Sequence, residues 1–121
     1  MQDLIASANA DPFARRWAKN CSFEFLWQIG DNGFLVSIRN GNVETVKPAD
    51  RRLISWDFSI RGRKSAWEAH WSEMPEPTYH DIIAMRTAGH ITIEGNLHPF
   101  FSNILYVKRL LELPRETGRR A

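Results

Sequence analysis

Four histidines, His70, His80, His90 and His98, are the side chains here best suited to proton transfer or metal binding, and they follow one another at intervals of ten, ten and eight. No two fall four apart on one helix, and the single cysteine, Cys21, has neither a second cysteine nor a histidine beside it. A zinc site or a thiol nucleophile therefore lacks its usual local pattern. His80 stands next to Asp81, but adjacent residues of a helix point in different directions, so the pair reads as a surface histidine beside a capping aspartate. The sequence has no glycine-rich phosphate loop, no serine elbow and no carboxylate pair at catalytic spacing, and Asp50, Asp57, Glu73 and Glu76 read as surface charge. The expectation is a chain without catalytic residues, metal or cofactor.

What remains is apolar and basic chemistry. The chain has Trp 5, Phe 7 and Tyr 2, a high share of tryptophan for its size. Phe58, Trp67, Trp71, Ile83, Ile93, Phe100, Phe101, Ile104 and Leu105 have two readings: an ordinary core, or the lining of a tunnel for an apolar ligand. In the second case each buried methylene of the ligand contributes roughly 0.8 kcal/mol. Arg51, Arg52, Arg61, Arg63 and Lys64 flank both ends of one expected strand, and Arg61, Arg63 and Lys64 together suit a carboxylate or an anionic lipid headgroup. The formal charge of +2 is too small to argue for a nucleic-acid partner.

These residues need elements to position them. Residues 1–20 read as one or two helices, with Asp11 capping a second helix that carries Pro12 in its first turn. Phe23, Phe25, Trp27 and Ile29 fall on one side of a period-two pattern with Glu24, Leu26 and Gln28 on the other, as in a strand, and Phe34, Val36 and Ile38 follow after the turn Gly30-Asp31-Asn32-Gly33. Asn40-Gly41 is a strong hairpin signal, and the chain returns as Asn42–Val46. Ile54, Trp56, Phe58 and Ile60 mark a fourth strand, so the spacing predicts a four-stranded antiparallel meander. Ser65-x-x-Glu68 and Thr78-x-x-Asp81 match capping boxes for two helices, the second stopping at Gly89. Ile91 and Ile93 lie in a fifth strand, and Asn96 opens a terminal helix of about 17 residues, about 25 Å long, that Pro114 closes.

At 121 residues the chain fits one domain, placed at 1–113, with a polar tail at 114–121 expected to be disordered. No run approaches the ~18 apolar residues of a membrane span, and the N-terminus lacks a secretory signal pattern. With one cysteine, a reducing, cytoplasmic setting is expected.

The closing stretch Ala88-Gly-His-Ile-Thr-Ile-Glu-Gly-Asn96, followed by an amphipathic helix, resembles the signature of the sterol carrier protein type 2 lipid-transfer family. Gly89, Ile91, Ile93, Gly95, Asn96 and the helix from Leu97 fall on that pattern in order, and the likeness covers roughly residues 20–113. It implies an α+β fold in which a five-stranded, largely antiparallel sheet is covered on one face by helices. It also implies a tunnel between the two layers for a fatty acid, acyl-CoA or sterol-like lipid, without catalysis and with at most transient contact with a membrane surface. The segment from Ser65 to Pro77 is richer in aromatics than the family pattern, which would narrow such a tunnel. The chain also lacks the peroxisomal tail of many eukaryotic relatives. A second expectation belongs to a different class: a ligand-free interaction module whose apolar terminal helix serves a homodimer or a partner enzyme.

Overall fold

The computed structural model describes residues 3–49 and 55–120, with side chains described for 4–49 and 55–115. Among these the elements run α1 (Asp3–Ala10), α2 (Pro12–Trp17), β1 (Phe23–Ile29), β2 (Asn32–Arg39), β3 (Asn42–Pro48), β4 (Phe58–Gly62), α3 (Lys64–His70), α4 (Ile82–Thr87), β5 (Ile91–Gly95), α5 (His98–Ser102) and α6 (Ile104–Arg120). The five strands form one sheet in the order β3-β2-β1-β4-β5. Three neighbouring pairs are antiparallel, and β1 with β4 is parallel.

The first three strands are the expected meander. Asn40 and Gly41 both have positive φ, 51° and 75°, the backbone of a tight turn whose twist matches the flanking strands. A side chain at Gly41 would also meet the Ala18 carbonyl at 3.0 Å, so glycine is required there twice over. A bulge opposite Ser37 and Ile38 lets Val43 and Val46, three residues apart, both turn inward. Edge strand β3 is tied to α1 by Asn9, whose side chain donates to the Val43 carbonyl at 3.0 Å and accepts from the Val43 N–H at 2.9 Å.

The expectation of a four-strand meander is corrected at β4. After β3 the next strand, β4, lies on the far side of β1 from β2 and pairs parallel with β1, Phe25 opposite Phe58 and Ile29 opposite Gly62. Asp57, read from sequence as surface charge, anchors this arrival. Its carboxylate accepts the Glu24 N–H at 2.9 Å, its N–H bonds the Glu24 carbonyl at 2.9 Å, and its carbonyl accepts from Asn96 at 2.7 Å. Gly95, at φ +105°, must be glycine because a Cβ would lie 2.7 Å from that same carbonyl. Ile54, Arg51 and Arg52 lie outside the described residues.

Phe23, Phe25 and Trp27 of β1, Val36 and Ile38 of β2, Phe58 and Ile60 of β4, and Ile91 and Ile93 of β5 face one way and are buried beneath the helices. The opposite face carries Glu24, Ser37, Arg61 and Thr92. Alternation puts the apolar set in a single layer between sheet and helices.

The helix boundaries follow side-chain chemistry only in part. Asp11 caps α2 as expected, accepting the Ala14 N–H at 2.8 Å with Pro12 in the first turn. Neither capping box forms. Arg63 stands at the start of α3 without a side-chain cap, while Thr78 takes φ +75° and Asp81 itself caps α4 by accepting from Ile83 at 3.1 Å. Ending at Gly89 holds, with the His90 N–H returning to the Met85 carbonyl at 2.9 Å.

The terminal helix is corrected twice. It breaks at Asn103, where φ is −125° and ψ 31°, so α5 and α6 are separate pieces. Pro114 lies inside α6 rather than closing it, and the helical backbone continues to Arg120. Leu110, Leu111 and Leu113 are buried just before the proline, and the Arg115 guanidinium just after it donates to the His70 carbonyl. Packing on both sides carries the helix across the missing N–H.

Candidate ligand-binding layer

Two aromatic groups fill the layer. In the first, rings succeed one another from the surface to the sheet: Phe101 meets Phe100 with centroids 5.0 Å apart, Phe100 meets Phe58 at 5.6 Å, and Phe58 stacks on Phe25 at 5.2 Å and 3°. Phe101 is half exposed and the others are fully buried. The second group is built by β1 and α3. Trp27 lies edge-on to Trp67 at 5.7 Å and to Trp71 at 6.2 Å, Trp67 stacks with Trp71 at 6.0 Å, and His70 stands edge-on to Trp67 at 6.2 Å. One turn of helix separates Trp67 from Trp71, which is why both reach the same patch of sheet.

The polar atoms of the second group are partnered unevenly. Trp67 Nε1 donates to the Gln28 carbonyl at 3.0 Å and Trp71 Nε1 to the Leu111 carbonyl at 2.8 Å. His70 Nδ1 lies 2.8 Å from the Tyr79 carbonyl, yet His70 Nε2 and Trp27 Nε1 are buried with no hydrogen-bond partner. Leaving such an atom unpaired costs about 1–3 kcal/mol. Burial holds the His70 pKa below the ordinary imidazole value, with Arg115 adding to the same direction against the opposing pull of the Tyr79 carbonyl.

Opposite the layer, on the uncovered face of the sheet, Gln28, Arg61 and Thr92 stand in register across β1, β4 and β5. With Arg63, His90 and Asp31 they line a shallow groove of about 410 Å³. Lys64, grouped with these arginines from sequence, pairs with Glu68 at 3.9 Å, both side chains being exposed. A second groove of about 420 Å³ on the same face is lined by polar residues including Glu24, Ser37 and Asp57. Among the described residues, no group of three or more His, Cys, Asp or Glu lies together as a metal site would need.

No protein-family model matches the sequence, and no curated protein matches it. Solved structures match it by shape. The crystal structure of sterol carrier protein 2 aligns with a TM-score of 0.74 over 95% of this chain and 92% of its own, at 13% identity. The chain has the sterol carrier protein 2 fold. UbiJ-SCP2, a ubiquinone synthesis protein, aligns with a TM-score of 0.55 at 11% identity, covering 96% of this chain and 88% of that one. The apo form of sterol carrier protein 2 from Yarrowia lipolytica aligns with a TM-score of 0.52 at 12% identity, covering 90% and 84%. At these identities the likeness is one of fold.

Within this sterol-carrier fold the residues proposed from sequence divide by position. Phe58, Trp67 and Phe100 are fully buried in the layer and Ile93 is nearly so. Trp71, Ile83 and Ile104 are half-buried against it. Phe101 and Leu105 instead face solvent at 49% and 51% exposure. Helical periodicity accounts for this. At ~100° per residue, Phe101 and Leu105 lie about 100° and 140° around from Phe100, away from the side that carries the buried Val107, Leu110 and Leu111.

The burial of His70 also departs from the sequence reading. The histidines read as surface residues, and His70 is 2% exposed. Its position three residues after Trp67 on a short helix was the available signal, since i and i+3 share a face. Cys21 is half-buried, and burial pushes its thiol pKa up. No described helix is long and apolar enough to cross a membrane.

Proposed function

We propose that this domain binds and releases an apolar ligand, of the fatty acid, acyl-CoA or sterol-like class, in the layer between sheet and helices. The observation that carries the reading is the unbroken series of rings from exposed Phe101 through Phe100 and Phe58 to Phe25. It marks an apolar path from solvent to the sheet beside a helix break, where α5 can swing without unwinding α6. The fold shared with structures of sterol carrier proteins supports the same reading. Within it, Phe58, Trp67, Trp71, Ile83, Ile93, Phe100 and Ile104 form the walls, and Phe101 and Leu105 form the lip. The work is sequestration rather than catalysis, in a cytoplasmic setting, with the Arg61 and Arg63 groove available for brief contact with an anionic surface.

The test is solvent extraction of the purified protein with mass spectrometry of the extract, joined to titration with a fluorescent fatty acid. Co-purified lipid or saturable probe binding is expected. An empty protein that also leaves the probe unshifted rejects the proposal.

A second reading is favoured by the same exposed pair. Phe101 and Leu105 lie four residues apart across the helix break and present an apolar lip to solvent, which suits a homodimer or a partner enzyme. Sedimentation at low micromolar concentration separates the two readings: a dimer that Leu105→Lys dissociates supports this one, and a monomer rejects the homodimer.

A further inference from the structure

The two grooves on the uncovered face of the sheet, of about 420 and about 410 Å³, carry their charges in opposite ways. The first sets Glu24, Glu44 and Asp57 against Arg39 and Lys47. Its groups bond to one another: Arg39 pairs with Glu44 at 3.0 Å, the Glu24 carboxylate accepts from Ser37 Oγ at 2.8 Å, and Asp57 accepts the Glu24 N–H at 2.9 Å. The second sets Arg61 and Arg63 against a single carboxylate, Asp31, and its wall includes Gln28, His90 and Thr92.

Arg61 gives the second groove its character. Its neighbours across the sheet are Gln28 on β1 and Thr92 on β5, both uncharged. A charge on an exposed sheet face gains most from an opposite charge directly across the strand. Arg61 has none there, and among the described residues its guanidinium makes no hydrogen bond or ion pair. Arg63 engages Ser65 Oγ through Nε at 3.1 Å, which leaves its two terminal nitrogens as donors. The Gly30 N–H donates to the Gly62 carbonyl at 2.8 Å and joins the ends of the two strands that carry Gln28 and Arg61, so the groove is built on paired backbone.

The free donors thus come from Arg61, Arg63 and the Thr92 hydroxyl around one groove. A carboxylate offers two oxygens and one charge. A phosphate monoester offers three strong acceptor oxygens and nearly two negative charges at neutral pH, which matches two guanidiniums in donors and in charge. The chain's formal charge of +2 suits one such group and not a polyphosphate backbone.

We propose that the groove around Arg61 and Arg63 binds a phosphate monoester group, with Arg61 as its main contact and Asp31 opposing it. The groove lies on the face of the sheet away from the helices, so the proposal stands independently of the apolar-ligand reading. A soluble phosphate ester and a phosphatidate headgroup offer this same chemistry, and the experiment separates them.

The isotope-labelled full chain is titrated with glycerol phosphate and, at matched ionic strength, with acetate, following the amides of Gly30, Gly62 and Thr92 and the Arg61 Nε–H by NMR. Saturable shifts confined to these groups are expected with glycerol phosphate and not with acetate. Arg61→Gln, at an exposed position, should weaken binding by roughly ten-fold, and Asp31→Asn should strengthen it several-fold. Arg39→Gln, in the balanced groove, should change nothing. The second arm is flotation with phosphatidylcholine vesicles carrying phosphatidate. Saturation by glycerol phosphate supports a soluble ester as ligand. Flotation that Arg61→Gln abolishes, without a response to glycerol phosphate, supports the lipid headgroup. Equal shifts with acetate, or no response to either phosphate source, overturn the proposal from the wild-type protein alone. Binding that Arg61→Gln leaves intact overturns it as well.

Discussion

Where α2 meets α6, Asp11 accepts the Ala14 N–H and grips Arg109 through two hydrogen bonds of 2.8 and 2.7 Å, while Arg109 also reaches Glu112 at 3.0 Å and lies over the Phe13 ring. In the tryptophan cluster, by contrast, Trp27 and His70 hold polar atoms with nothing to bond. Both regions are buried, and both pack helices into one core. The first spends its polar groups on locking helices together. The second leaves two polar atoms unpaired in an otherwise apolar cluster, each at a cost of about 1–3 kcal/mol.

The largest effect should come from breaking the locked region. The two side chains are each 9% exposed, so Asp11→Ala removes a cap and strands a buried guanidinium, and a loss of about 3–5 kcal/mol in chemical denaturation is expected. The Arg109 guanidinium also holds the Asp11 carboxyl below its ordinary range. A loss under about 1 kcal/mol would mean that the ion pair contributes little beyond a surface pair.

The next effect sharpens the other side. Because burial depresses the His70 pKa below 6.5, the unfolded chain takes up a proton before the folded one does. The stability that follows is complete above that value and declines as pH falls below it. Thermal melts of the wild type should show this decline well before the carboxylates titrate, and His70→Asn should flatten it. An unchanged profile in the variant would show that His70 is not the titrating group.

Trp27→Phe should alter stability by less than about 1 kcal/mol, because loss of ring volume is offset by loss of an unpaired N–H. A cost above about 3 kcal/mol would show that Nε1 is bonded after all. The smallest effect belongs to the lip. Phe101→Ser should leave stability within about 0.5 kcal/mol, since the ring is half exposed, yet lower the rate of probe exchange measured by stopped flow.

The local features were legible where chemistry and backbone coincide. Asn40-Gly41 announces its own turn, Asp11-Pro12 its own helix start, and the alternation from Phe23 to Ile29 names the buried face of β1. Partner choice was not legible, because a period of two says which side a strand buries and nothing of which strand lies beside it. The capping boxes failed for a related reason. Ser65 and Thr78 have the right side chains, but tertiary packing starts the helices elsewhere. Of the apolar candidates, the burial of Phe58, Trp67 and Phe100 follows from apolar spacing, whereas the solvent exposure of Phe101 and Leu105 shows only once the covered side of the terminal helices is known. The unpaired atoms of His70 and Trp27 needed three dimensions, since such an atom is visible only once its neighbours are known.

The parallel pairing of β1 with β4 has a kinetic side. Contacts within β1, β2 and β3 close short turns, but Phe25 reaches Phe58 only after 33 intervening steps of chain, and loop closure slows with such separation. The three-stranded unit should therefore acquire amide protection first in pulse-labelled refolding, with β4 and β5 following. Until they arrive, β1 presents an open edge bearing Phe23, Phe25 and Trp27, so the most aromatic strand of the protein is also the one most exposed to wrong partners during its synthesis.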